Sequence, residues 1–270
     1  MSVIIIYLII YGLLIGGVVF GGFVLHLGKS KMKKGNSNIS VGEITLLIPF
    51  RNEEKRLDGL LTSIVNSDKL PGRIIFIDDH SDDASVKLIQ NRLGYLSHEI
   101  MSLSGELSGK KLALRAAIAT CRTRYILTFD ADVSFDSNYF SAIEKLDEAD
   151  MYVLPAILEG RSSVELFYEL DVALANALNA GLSGLARPIF SSGANFLFKR
   201  HVFDEVDDFD SHAHMSSGDD TYLLRDFRKN NKDIRLETNL NVAIKTETPH
   251  AFKEFIDQRL RWIGKTTDIG

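Results

Sequence analysis

The chain has a single cysteine, Cys121, among its 270 residues. One thiol closes no internal disulfide, which fits a reducing compartment for the main body and leaves Cys121 as a small core residue at a helix end. An excess of positive charge is missing as well: the formal net charge is −5. A surface of that kind lacks the basic excess that supplies most nucleic-acid affinity, so no nucleic-acid partner is expected. No solenoid repeat or low-complexity block is visible. What is present is 45% hydrophobic and 25% charged residues, enough to bury one large core or two small ones and too apolar for disorder.

A third absence is local. From Val3 to Leu27 there is no Asp, Glu, Lys or Arg, and a bilayer span needs roughly 20 such residues. A cleaved signal peptide would put a basic segment first and keep its apolar core to about 7–15 residues. Residues 1–28 are therefore read as one N-terminal transmembrane helix. Lys29, Lys31, Lys33 and Lys34 follow, and positive flanks stay on the cytoplasmic side. The expectation is a single-pass anchor in the membrane (the cell inner membrane if the source is bacterial), a basic linker over 29–42, and a cytoplasmic domain over 43–270.

From Glu43 the pattern alternates. EITLLIPF is a short apolar run, and the segment after it places Leu57, Leu60, Leu61, Ile64 and Val65 at helical spacing. RIIFID with a helix from about Asp82 to Leu93, then HEIMSL, KLALRAAIATC and YILTFD, repeat the unit. Strands alternating with helices predict an α/β fold around a mostly parallel sheet covered on both faces. Ligands of such sheets bind at the carboxyl ends of the strands. Charge gathers there: RNEE follows Pro49, IDDHSDD carries Asp78 and Asp79, and FDAD carries Asp130 and Asp132. Acids along one crevice repel unless cations balance them. Residues i and i+2 of an extended segment point the same way, so Asp130 and Asp132 can face one ligand, and oxygen ligands suit Mg²⁺ or Mn²⁺.

Taken in order, TLLIPFRNEE, FIDDHSDD, SGKKLALRAAI, TFDAD, SSGANFLFKRHVF, SSGDDTYLL and QRLRW resemble the processive and lipid-linked branch of glycosyltransferase family 2, to which cellulose, chitin and hyaluronan synthases belong. The resemblance runs over roughly positions 43 to 264. It implies a GT-A nucleotide-diphospho-sugar transferase fold, a nucleotide-diphosphate sugar donor, a divalent metal (Mg²⁺ or Mn²⁺), and inverting transfer to a glycan or lipid-linked acceptor at the cytoplasmic membrane face.

The same resemblance assigns residues. Pro49, Arg51 and Glu53 fall in the first donor motif, and Asp79 matches the contact to the base. Lys110 matches a base or phosphate contact, whereas Lys111 is equally a solvated charge. Asp130 faces ribose and metal, and Asp132 is a direct metal ligand. Asp220 matches the general base and Asp219 a supporting or acceptor-binding acid, although an acidic helix start also explains both. In DQRLRW, Gln258 and Trp262 match acceptor contacts and Arg261 the diphosphate contact; guanidinium donors suit phosphate oxygens and an indole face suits a sugar.

Plainer roles stand beside these. Asp78 or Asp79 is otherwise a cap of the next helix, a place Ser81 or Asp82 also fits. Gly193 in SSGANF permits a tight turn, His212 and His214 lack the third ligand a metal site needs, and Phe167, Leu170, Leu174 and Leu178 form a helical stripe read as core or membrane-surface packing. Two departures from the family pattern are present. Arg51 stands where many members have Tyr, and the sequence ends eight residues after Trp262, where membrane-bound relatives continue into further spans. A membrane scaffold or sensor that binds nucleotide sugar without turnover is the alternative, disfavoured by an intact Asp220. A nucleotidyltransferase would carry a glycine-rich loop after its first strand, and PFRNEE has none.

Overall fold

The computed structural model describes residues 3–31, 37–105, 108–160, 162–208, 219–249 and 251–267. His212 and His214 lie outside the described residues, as do Ser216, Ser217 and Gly218 of the SSGDD motif.

The first strand, β1 (Ile44–Phe50), is buried along its whole length, as a strand covered on both faces must be. It pairs in parallel with β2 (Arg73–Asp78) and with β4 (Tyr125–Phe129), and β2 pairs in parallel with β3 (Glu99–Ser102). Between them run α2 (Leu57–Val65), α3 (Ser85–Leu93) and α4 (Lys110–Thr120), the crossover helices that parallel neighbours require. The alternation expected from the sequence is present, with α3 starting at Ser85 rather than near Asp82. Neither Ser81 nor Asp82 caps that helix: Ala84 holds the cap position, and the Ser85 N–H donates to Asp83 Oδ1 at 2.9 Å.

The sheet then extends past β4. Counting in chain order, β5 (Val133–Phe135), β6 (Met151–Val153), β7 (Ala156–Glu159), β8 (Asn195–Lys199), β9 (Ile234–Leu236) and β10 (Ile244–Glu247) follow. The large sheet has the order β3-β2-β1-β4-β8-β6-β9, with β8 antiparallel to both neighbours, and β5-β10-β7 form a second, small sheet. Two apolar cores lie on the large sheet, one around Leu46, Ile48 and Phe76, the other around Leu47, Ile75 and Phe227. Cys121 ends α4 in the second core, its thiol donating to the Ala117 carbonyl.

Because β8 runs backwards, its first residue, Asn195, lies opposite the last residue of β4, Phe129. That pairing brings the SSGAN loop to the edge where β1, β2 and β4 end. Asn195 is fully buried and joins the two sheets: its Nδ2 donates to the Pro155 and Val242 carbonyls at 2.8 and 2.9 Å, and its Oδ1 accepts the Tyr139 hydroxyl at 2.6 Å.

The remaining helices are α1 (Val3–Lys31), α5 (Tyr139–Ile143), α6 (Ser163–Leu185), α7 (Arg200–Val206), α8 (Asp219–Lys229) and α9 (Phe252–Thr267). Helix α1 is, among the described residues, one helix long and apolar enough to cross a membrane, over Tyr11–Gly28. Helix α6 opens with a reciprocal capping box between Ser162 and Glu165, which satisfies two otherwise orphan N–H groups. Helix α9 stacks Phe255 on Tyr168 of α6 at 4.3 Å between ring centres.

The Asn195 junction has a measurable consequence. Asn195→Ala takes away the partner of the buried Tyr139 hydroxyl and Val242 carbonyl, while the Pro155 carbonyl keeps the Ile244 N–H. Each such loss costs about 1–3 kcal/mol, so the variant should unfold at least ~2 kcal/mol more easily in a urea titration. An unchanged midpoint would show that the two sheets do not depend on this contact.

Candidate active site

The site is built where the strands of the large sheet end. After β1 and β2 the chain turns through Asn52 and His80, which hold φ values of 55° and 61°, a left-handed region that Asn and His enter more readily than most side chains. The two turns brace one another. The Asn52 N–H donates to Ser81 Oγ at 3.0 Å, the Asp82 N–H donates back to Asn52 Oδ1 at 2.9 Å, and the Glu53 N–H donates to Ser85 Oγ at 2.8 Å. Asp78 serves this turn, accepting the Ser81 N–H at 2.9 Å.

Asp79 does something else. It is buried, and its Oδ2 reaches across to the start of α4, accepting the Gly109 N–H at 2.8 Å and the Ser108 hydroxyl at 3.4 Å. Arg51 donates to the same Ser108 at 3.2 Å. Burial works against ionisation of Asp79, but the Gly109, His80 and Ser108 bonds and the Arg51 charge outweigh it and hold the carboxyl below its ordinary range. Asp79 is thus an ionised acceptor at a strand end rather than a cap of the helix that follows it.

Asp130 and Asp132 lie just past β4, and here the structure corrects the extended geometry expected from the sequence: the strand stops at Phe129, and the two acids sit in the turn that leads into β5. Ala131 between them is buried, and each acid has its own cation. Lys110, the first residue of α4, pairs with Asp130. Arg56 spans Asp132 at 3.3 Å and Glu53 at 2.6 Å. Burial raises the pKa of Asp132 and the charge of Asp130 raises it further, with Arg56 opposing both. Glu53 is raised too, first by burial, with Arg56 opposing and Asp132 adding, and its Oε2 is buried without a hydrogen-bond partner.

These oxygens fit a hard divalent cation. The charge of Asp130 adds to the raised pKa of both Asp132 and Glu53, and the orphaned Glu53 Oε2 is a further carboxylate oxygen of this cluster. Among the described residues no group of three or more His, Cys, Asp and Glu side chains is close enough to hold a metal by itself. An ion here would draw its remaining ligands from phosphate or water, as Mg²⁺ commonly does.

Asp220 enters from the first turn of α8. Its Oδ2 accepts the Gly193 N–H at 2.9 Å, and its backbone carbonyl accepts the Ser191 hydroxyl at 3.0 Å. A β-carbon on Gly193 would lie 3.3 Å from Asp220 Cβ and 3.4 Å from Lys110 Nζ. Gly193 therefore permits a close approach that draws Asp220, Lys110 and, through Lys110, Asp130 into one cluster. Lys111, by contrast, is buried with its ammonium 5.6 Å from the Tyr222 ring centre, not a solvated charge.

The helix of the last motif is present as α9. Gln258 Oε1 is buried with no hydrogen-bond partner, while Arg259 pairs with Asp171 of α6 and lies over the Phe255 ring. Arg259 thus binds α9 to α6. The side chains of Asp219, Arg261 and Trp262 lie outside what is described. Arg56 is the cluster member the sequence did not reveal, since nothing in its spacing ties it to Asp132.

The profile of glycosyl transferase family 2 matches residues 45–207. This chain belongs to that family. A curated relative, the 4,4'-diaponeurosporenoate glycosyltransferase of Staphylococcus aureus, is 28% identical over 114 residues, 42% of this chain and 30% of the relative. Among solved structures, the mannosyltransferase PcManGT from Pyrobaculum calidifontis, in complex with GDP-Man and Mn²⁺, aligns with a TM-score of 0.58 at 16% identity over 91% of this chain and 68% of its own. S. aureus TarS 1-349 aligns at 0.54 with 14% identity over 76% and 60%, and has also been solved with UDP-GlcNAc. The glucosyl-3-phosphoglycerate synthase of Mycobacterium tuberculosis, with Mn²⁺ and UDP, aligns at 0.51 with 15% identity over 84% and 79%. The fold is GT-A. The chain spans under a third of the curated relative and about three-fifths of TarS 1-349.

The raised pKa of Asp132 gives a prediction with a definite sign. A carboxyl whose folded pKa exceeds its unfolded one favours folding fully below the unfolded value and loses that contribution as pH rises through the folded value. At pH 7 the wild type has lost it, and Asp132→Asn has nothing to lose. The variant should therefore melt no lower than wild type at pH 7 without added metal, and the gap should close as the pH falls through the raised value. A clearly lower melting temperature at pH 7 would show that the Arg56 pair outweighs burial.

Proposed function

We propose that the protein is an inverting glycosyltransferase that moves a sugar from a nucleotide-diphosphate donor to a glycan or lipid-linked acceptor at the cytoplasmic face of a membrane. The observation that carries this reading is the gathering of Asp79, Asp130, Asp132, Lys110 and Asp220 at the edge where the parallel strands β1, β2 and β4 end. Family membership supports the activity, and the nucleotide complexes of structural relatives support the donor class.

The base of the donor lies by Asp79, whose carboxylate accepts an N–H, with Arg51 and Pro49 lining the same strand end and Glu53 beyond. Asp130 and Asp132 would hold Mg²⁺ or Mn²⁺, which when bound would supply countercharge to the diphosphate. Lys110 moves from Asp130 to a phosphate oxygen, and Arg261 approaches the diphosphate from α9. Asp220 takes the proton of the acceptor hydroxyl as that oxygen attacks the anomeric carbon from the face opposite the leaving group, so configuration inverts. The Gly193 N–H fixes one oxygen of Asp220 and so aims the carboxylate. Asp219, Gln258 and Trp262 receive the acceptor.

The membrane face follows from α1, whose apolar surface is exposed at Leu13, Leu14, Val19 and Phe20, and from the lysines after it. With α1 as a single-pass anchor and its basic flank inside, residues 43–270 form a cytoplasmic domain, next to the nucleotide-sugar pool.

A silent donor-binding scaffold keeps the same crevice, and one variant separates the two. Asp220→Asn is close to isosteric, so a nucleoside diphosphate should bind it about as tightly as wild type. Its transfer rate should fall roughly 10²–10⁴-fold, the usual contribution of general-base catalysis. Unimpaired transfer would mean another group is the base. A wild type that binds donor yet releases no nucleoside diphosphate with any acceptor would favour the scaffold.

A further inference from the structure

Helix α6 is built the wrong way round for a helix in water. Its polar side chains turn into the protein: Asn176 Nδ2 donates to the Ala156 carbonyl at 3.0 Å, and Asn179 Nδ2 donates to the Phe190 carbonyl at 2.8 Å while its Oδ1 accepts the Ile189 N–H at 3.0 Å. Tyr168 and Val172 pack inward, but most of its large apolar side chains turn out. Phe167, Leu170, Leu174 and Leu178 are 58%, 56%, 57% and 49% exposed, at the i, i+3, i+4 spacing that ordinarily faces a core. This excludes the core reading of the stripe. Phe252 and Leu260 on the neighbouring α9 are 65% and 61% exposed, and α9 is tied to α6 by the Phe255–Tyr168 stack and the Arg259–Asp171 pair. Together the two helices present one apolar surface.

That surface is continuous with α1. The two helices meet backbone to backbone, since a β-carbon on Gly21 would lie 1.9 Å from the Gly181 carbonyl oxygen and one on Gly184 would lie 1.7 Å from that of Gly21. Close glycine contacts of this kind are how helices pack in lipid, where no hydrophobic effect drives them together. The solvent that surrounds the exposed apolar residues of α1 therefore reaches α6 as well.

We propose that the outward face of α6, with the adjoining face of α9, docks into the interfacial layer of the lipid bilayer, so that the catalytic domain lies against the membrane rather than hanging from α1 on a linker. The docked face is apolar and inserts at the depth of an interfacial helix, about 5–10 Å into the headgroup and acyl boundary. It rests on the reading of α1 as membrane-embedded and not on the catalytic roles.

The test uses the full chain reconstituted in phosphatidylcholine and phosphatidylglycerol vesicles, with an environment-sensitive dye on one introduced cysteine at a time. Cys121 is buried, and burial raises its thiol pKa, so labelling at neutral pH is selective for the new site. Leu174→Cys and Phe252→Cys report the proposed face, Phe20→Cys reports α1, and Tyr95→Cys, exposed beside the edge strand β3, reports water. With spin-labelled phosphatidylcholine in the bilayer, dye at 174 and 252 should lose roughly half or more of its emission, as dye at 20 does, while dye at 95 keeps it. Quenching at 20 with none at 174 would overturn the docking and leave the anchor intact. Blue-shifted emission at 174 without quenching would overturn it in favour of a second protein surface, such as another copy of this chain. Quenching at no position would remove the membrane reading of α1 and the proposal with it. A second variant guards against a label that inserts by itself: adding Leu170→Asp to a labelled Leu178→Cys chain should release its dye from quenching while dye at 20 stays quenched, and quenching at 178 unaffected by Leu170→Asp would count against the proposal.

Discussion

The fold delivers carboxylates to one edge, and their mutual repulsion is the constraint around which the rest of the site is arranged. Strands β1, β2 and β4 end within reach of one another, with Asp79 after β2 and Asp130 and Asp132 after β4, and the reversed strand β8 adds the loop that holds Asp220. Each acid is answered locally. Asp79 takes N–H and hydroxyl donors from the start of α4, Asp130 takes Lys110, and Asp132 shares Arg56 with Glu53. The balance is incomplete at Asp132 and Glu53, whose pKa values remain raised. A site that holds its own charges under strain is set to gain from a cation and a polyanion arriving together, because the ion relieves the carboxylates and the phosphates attract Lys110.

Much of this was legible in the chain because it rests on local patterns. Apolar runs alternating with amphipathic stretches gave β1 through β4 and their helices, and the acids at the ends of those runs gave the crevice. What could not be read depends on contacts between distant residues. Arg56 lies 76 residues from Asp132, and no periodicity joins them. The role of Gly193 as a point of close approach is visible only once Asp220 and Lys110 stand on either side of it. Asp130 and Asp132 looked like neighbours on one face of a strand; a turn brings them to the same place by another path.

The stripe on α6 shows the same limit from the other side. Helical spacing of Phe167, Leu170, Leu174 and Leu178 says that one face is apolar and leaves open what it meets. The inward hydrogen bonds of Asn176 and Asn179 decide it, since a helix whose polar side chains are spent on its own protein has only its apolar face left for the surroundings. The aromatic stack from α6 to α9 then joins that face to the helix carrying Gln258, Arg261 and Trp262.

The central claim is that the acids after β4 form half of a site completed by a divalent cation and a diphosphate. Calorimetric titration of the full chain with a nucleoside diphosphate, with Mn²⁺ present and then with chelator, tests it most directly. The account predicts affinity that collapses on chelation and that Asp132→Ala weakens strongly even with Mn²⁺ in excess. Equal affinity with and without the metal would contradict it, and would leave the pairing of Asp130 with Lys110 and of Asp132 with Arg56 as the whole of what those acids do.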